Sequence, residues 1–216
     1  MSIHPIRFGD DGQAATRELR TRFAAARPEL ARTLETFDAL DRQYGGEGPL
    51  PVEDAEELVA AAITQMAHLE DTPEFADLTL GIALWATRHG VPLRPVEPVT
   101  NALALRSNRA TSPQDLAAVF GLMQGLIAHV GPQLSADLER SNPERPWRIL
   151  HANFAITAIR TEDPALIDYA FDALDAALPD ERGGFYAEAL ALAMNARVAP
   201  AVRERISARH RKWILG

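Results

Sequence analysis

Residues 113–130 read PQDLAAVFGLMQGLIAHV, and this stretch decides the fold. It is too long and too continuously apolar for a strand, so it reads as a helix. Ser112 stands just before it with Asp115 three residues on, an acidic variant of the capping box in which each side chain meets the other's backbone N–H. The same period recurs downstream, where Ile167, Phe171, Leu174 and Leu178 fall at i, i+4, i+7 and i+11, the stripe of a helix that buries one face. No window alternates apolar and polar residues as a half-buried strand requires.

Helix starts are marked repeatedly. Thr72-Pro73, Ser112-Pro113, Asn142-Pro143 and Asp163-Pro164 each set a capping side chain before a proline, whose missing N–H fits the first helical position. Together with Gly45-Gly46, Gly90-Val91-Pro92, Gly131-Pro132 and Gly183-Gly184 they predict helices near 12–26, 28–44, 52–70, 73–89, 96–107, 113–130, 132–140, 144–161, 164–178, 183–197 and 200–214. The first two read equally as one helix continuing across Pro28, which makes about ten in all. The expected architecture is all-α, with stacked helical hairpins forming either an irregular α-solenoid-like array or a compact orthogonal bundle. Residues 1–11 are expected to be a flexible N-terminus and 12–216 a single domain. The prolines that open alternate helices, at 73, 113, 164 and 200, are spaced irregularly and do not follow a 34-residue tetratricopeptide period.

Composition agrees. The 216 residues are 47% hydrophobic and 24% charged, as in an ordinary globular protein. Alanine supplies 38 positions and arginine 21 of the 22 basic ones, a bias that favours helix and points to a GC-rich bacterial genome. With no cysteine, disulfides, thiolate metal sites and cysteine nucleophiles are excluded. No leader-like segment or membrane-length apolar run occurs, so the cytoplasm is the expected compartment.

Charge is segregated. Residues 43–87 hold nine acidic side chains and no basic one, and residues 161–188 hold eight against Arg182 alone. The last 28 residues reverse this, with Arg197, Arg203, Arg205, Arg209, Arg211 and Lys212 against Glu204. Such a basic amphipathic helix can complement the protein's own acidic helices, an acidic partner, or nucleic acid, which the acidic overall balance disfavours. Arg203, Arg205, Arg209, Arg211 and Lys212 are therefore the candidate partner-binding residues.

Other constellations are sparse. Asp168, Asp172 and Asp175 lie at i, i+4 and i+7, where they could hold a divalent ion, but each follows a buried-stripe residue by one position and reads better as a solvated flank. Glu53, Asp54, Glu56 and Glu57 open a helix, where they favour the positive end of its dipole. The histidines lack metal-ligand spacing, and no catalytic, phosphate-binding or calcium-loop motif occurs, so no catalytic residue, metal or cofactor is expected. Residues 147–159 are apolar nearly all round, so their helix should be central. Trp147, His151 and Asn153 on it are the candidate ligand-binding residues, the enclosed polar pair needing either core partners or a ligand. Gly121 and Gly125 allow close approach of another backbone, within the core or in a homodimer. The function expected from these features is a cytoplasmic module that binds a protein or peptide, with no role at a membrane. The alternative is a helical bundle, sensor or enzyme, with a small-molecule pocket at Trp147, His151 and Asn153.

Overall fold

The computed structural model describes residues 28–44, 50, 52–67, 73–195 and 198–215. Helices α1 (Pro28–Tyr44), α2 (Val52–Ala67), α3 (Pro73–His89), α4 (Glu97–Arg109), α5 (Pro113–Leu134), α6 (Pro146–Thr161), α7 (Pro164–Ala177), α8 (Arg182–Asn195) and α9 (Pro200–His210) follow in order, and a π-helical turn, Arg211–Leu215, extends the last. There is no strand among the described residues. The fold is all-α, with helices packed as in a bundle or array. The N-terminal residues, the helix expected at 12–26, Gly45-Gly46 and the cap expected at Thr72 lie outside the described residues.

Contacts divide the chain into two compact units. The first comprises residues 1–109 and 128–132, the second 110–127 and 133–216. In the first unit, Leu34 and Phe37 of α1, Val59 and Ile63 of α2, Leu78, Ile82 and Trp85 of α3 and Leu103 of α4 are all but fully buried. Phe37 meets the Trp85 ring edge-on at 4.7 Å. Helix α3 stops where the sequence says it should. Gly90 takes the left-handed conformation (φ 65°), its N–H donates to the Thr87 carbonyl, and the Val91 N–H reaches back to Ala86 at 2.8 Å. This is the Schellman arrangement that satisfies the last carbonyls of a helix. A histidine from the C-terminal part of α5 joins this unit, with His129 Nε2 lying 2.8 Å from the Val91 carbonyl.

In the second unit the stripe predicted on α7 is the core: Ile167, Phe171 and Leu174 are fully buried and Leu178 nearly so. Phe120 of α5 stacks on Phe154 of α6 at 4.3 Å, and Tyr169 of α7 meets both rings edge-on at about 6 Å. Two predicted caps form. The Ser112 hydroxyl accepts from the Asp115 N–H at 3.1 Å and donates to its carboxylate at 2.8 Å. The Asp163 carboxylate accepts from the N–H groups of Ala165 and Leu166.

Four expectations are corrected. Gly131-Pro132 does not begin a new helix: α5 runs on to Leu134, and residues 135–145 are turns. Pro132 falls in the last turn of α5, where its missing N–H forfeits one bond to the carbonyl of solvent-exposed Ala128 rather than breaking a helix interior. Asn142-Pro143 does not open α6. The Asn142 amide oxygen instead accepts from the Glu144 N–H at 2.9 Å in a local turn, and Arg145, held extended before a proline, leaves the first helical position to Pro146. Helix α6 is not enclosed all round, because Ile156 is 44% exposed opposite the buried Leu150, Phe154 and Ala158. Gly121 and Gly125 are exposed, and a Cβ at either would meet no heavy atom within 4 Å, so no backbone among the described residues packs closely there.

The Gly90 turn gives a direct test. Space is open around its Cα, so Gly90→Ala introduces only backbone strain. Unfolding by denaturant should show a loss of about 1 kcal/mol, the cost of a left-handed non-glycine residue.

Candidate functional site

The C-terminal basic helix lies against α7, and its arginines divide by position. Arg209 is 17% exposed and reaches Asp172 and Asp175, each at 2.6 Å, while Arg205 lies 3.3 Å from Asp168. The three aspartates spaced for one helical face are thus matched by two arginines spaced at i and i+4. Asp168 and Asp172 are exposed, but Asp175 is not the solvated flank its position suggested. It is buried, and it accepts from the Tyr186 hydroxyl and the Trp213 indole N–H, each at 2.9 Å, as well as from Arg209. The Arg182 guanidinium covers the other face of the assembly, 3.6 Å from the Trp213 ring centroid. Burial and the adjacent Asp175 charge push the Tyr186 hydroxyl well above its ordinary pKa, so it remains a donor. Burial opposes the Arg209 charge, but its two aspartate partners outweigh that and raise its pKa.

The remaining basic candidates differ. Arg203 is half-buried and bonds the Val198 carbonyl at 3.4 Å, with its Nε buried and unpartnered. Arg211 and Lys212 are exposed, and the Lys212 ammonium lies 4.2 Å from the Trp213 ring centroid.

The ligand-binding candidates on α6 separate as well. Trp147 and His151 stand one turn apart, both buried, with the rings edge-to-face at 4.3 Å. Asn153 is two positions past His151, about 200° around the helix, and only half-buried, so it does not join them. Both ring nitrogens of His151 are buried without a hydrogen-bond partner. Burial alone pushes its pKa down to about 4, against a smaller opposing pull from the Asp137 charge, and the ring is neutral at physiological pH.

A polar centre that no spacing rule singled out lies just before α6. Arg145, 5% exposed, makes a two-pronged contact with Asp137 at 2.6 and 3.1 Å, bonds Glu181, and donates to the Asn142 carbonyl at 3.0 Å. Arg148 holds the other oxygen of Glu181 at 2.5 Å. Burial disfavours the Glu181 charge, yet the hydrogen bonds from Arg145 and Arg148 keep its carboxyl below the usual range. Together with Arg140 and Asp180 these side chains border a cleft of about 450 Å³. Three cations and three carboxylates balance, and every nitrogen of Arg145 is engaged, so the cluster ties the 135–145 turns to the α7–α8 connection and offers no unmatched charge to a ligand. The signal in the sequence was a pair of arginines flanking Pro146 and Trp147 among turn residues, which carries no spacing of its own.

Large apolar side chains are exposed at several places, Leu138 in the 135–145 turns most of all at 91%. Helix α8 carries Leu192 and Met194, each 64% exposed, and its only charges are Arg182 and Glu188. It packs against α9 and contributes Tyr186 and Ala193 to the core. Comparison with family models, with curated proteins and with solved structures gives no match.

Two outcomes follow from this geometry. Arg209→Ala leaves the buried Asp175 without its cation and should cost about 3 kcal/mol, against about 0.5 kcal/mol or less for Arg211→Ala, both measured by urea unfolding. For His151, the unfolded ring binds a proton near pH 6.5 while the folded ring does so only near 4. The stability present above pH 6.5 is therefore lost as pH falls toward 4, by an amount on the order of 3 kcal/mol. His151→Leu should flatten that part of the pH–stability curve.

Proposed function

We propose that the chain is a protein- or peptide-binding helical module acting by passive recognition in a bacterial cytoplasm. The observation that carries this reading is that α8, with two charged side chains among its fourteen residues, leaves Leu192 and Met194 exposed on either flank of the buried Ala193. A weakly charged helix that leaves large apolar side chains in water offers them to a partner, whereas a catalytic site needs convergent polar groups. The basic candidates support a narrower role. Arg205 and Arg209 are occupied by the chain's own aspartates, which leaves Arg211 and Lys212 as the exposed charges available to orient an acidic partner.

The alternative of a small-molecule site is favoured by one observation, the unpartnered imidazole of His151 beside Trp147. The two readings separate experimentally. Wild type, Leu192→Asp/Met194→Asp and His151→Leu are each tagged, expressed in the source organism and purified with cross-linking. The α8 variant should lose a co-purifying protein by tenfold or more with its melting temperature within about 2 °C of wild type, since exposed substitutions change stability little. A protein retained by the α8 variant, or a metabolite whose stabilisation of the fold disappears only in His151→Leu, would replace this reading with the other.

A further inference from the structure

In the first unit a cleft of about 300 Å³ opens among α2, α3 and α4. Seven of the lining residues are apolar: Met66, Ala67, Phe75, Ala76, Pro98, Ala102 and Leu105. Its depth comes from two alanines, Ala76 and Ala102, both nearly inaccessible, where larger side chains would have filled it. The Thr79 hydroxyl donates to the Phe75 carbonyl at 2.9 Å, so the lining presents no unmet polar group there. Glu97 is the one charged residue among the described lining, and Asn101 stands one turn further along α4; both are exposed. Among the described residues no basic side chain lines the cleft.

We infer that this cleft is a docking site for a basic amphipathic peptide helix, which lays two apolar anchors over Ala76 and Ala102 and sets an arginine or lysine against Glu97. Length, shape and charge support it. The α4 wall from Pro98 to Leu105 spans about 10 Å at 1.5 Å per residue, which accommodates anchors one turn apart, at i and i+4. Small alanine side chains at two lining positions leave room for a pair of leucine or phenylalanine side chains. The Glu97 carboxylate, with no cation beside it among the described lining residues, selects against acidic segments and in favour of basic ones. This site is separate from the α8 surface, though it rests on the same reading of the chain as a binding module.

The test uses the full chain and two fluorescein-labelled synthetic helical 14-mers. Both carry leucine and phenylalanine four residues apart on one face; the other positions are arginine and alanine in one and glutamate and alanine in the second. Fluorescence anisotropy is read for wild type, Glu97→Arg, Ala102→Trp and Leu192→Asp. Wild type should bind the arginine peptide at least tenfold more tightly than the glutamate peptide. Glu97→Arg, a change on an exposed side chain that leaves the fold intact, should lose tenfold or more and narrow the difference between the peptides. Ala102→Trp fills the cleft and should abolish binding, and Leu192→Asp should change it less than twofold. Absence of binding by wild type, equal binding of the two peptides, or indifference to Glu97→Arg overturns the inference. So does a loss in Leu192→Asp, which would move the peptide to α8. Concentration-dependent self-association of wild type that Glu97→Arg abolishes also overturns it, in favour of a second copy of the chain as the occupant. Loss of the co-purifying protein in the α8 variant is scored independently, so the two readings fail separately.

Discussion

A carboxylate that leaves water must be given its hydrogen bonds and its countercharge in return, and Asp175 imposes that requirement on much of the second unit. It lies on α7 one position after a core leucine, near enough to the buried stripe to lose its hydration. Tyr186 supplies one donor from α8, Arg209 the charge from α9, and Trp213 a third donor from the π-helical turn. Three later elements are thereby held to one oxygen pair. Removing water from charged groups is costly, and such clusters favour one arrangement of the chain over others more than they add net stability. The chain's last basic helix is consequently oriented as much by electrostatics as by its two buried apolar residues, Val202 and Ile206.

That orientation bears on function by subtraction. A basic helix at the end of an acidic protein resembles a binding element when only its sequence is considered. Once Arg205 and Arg209 are committed to α7, the charge left for a partner is small and lies at the very end of the helix. The surfaces that remain are apolar, on α8 and in the cleft of the first unit. Recognition by such surfaces depends on shape and desolvation, with charge setting direction rather than affinity.

Much of the fold was legible because helices report themselves locally. The α7 stripe, the Ser112 and Asp163 caps and the stop at Gly90 each depend on residues within a turn or two of one another, and each formed as the sequence implied. Misreadings came where two local signals competed or where a distant partner decided. Asn142-Pro143 and Arg145-Pro146 are both plausible starts, and the burial of Arg145 between Asp137 and Glu181 selects the second. The glycines of α5 specify that close approach is possible, not that anything approaches. Of the three ligand candidates grouped on one central helix, Trp147 and His151 lie one turn apart with their rings in contact, whereas Asn153 lies on another face that helical geometry alone could have assigned. The Arg145 cluster and the α2–α4 cleft assemble from residues tens of positions apart, and no periodicity within a segment encodes them.

Asp137 combines two demands rarely made of one residue. Its backbone is left-handed, with φ of 43°, and its carboxylate grips Arg145 at both oxygens. Glycine suits the first demand and glutamate keeps the charge for the second, but neither meets both. Asparagine tolerates the backbone and forfeits the charge, which leaves Glu181 to balance the buried guanidinium. Arg145 is bound in turn to Glu181, which Arg148 also holds, so a change at any of the three unbalances a set of matched charges. Descent with modification therefore has few single steps through this cluster. Relatives of this chain that differ here should differ at two or three of the positions together, which makes Asp137, Arg145 and Glu181 a covarying signature by which distant members could be found.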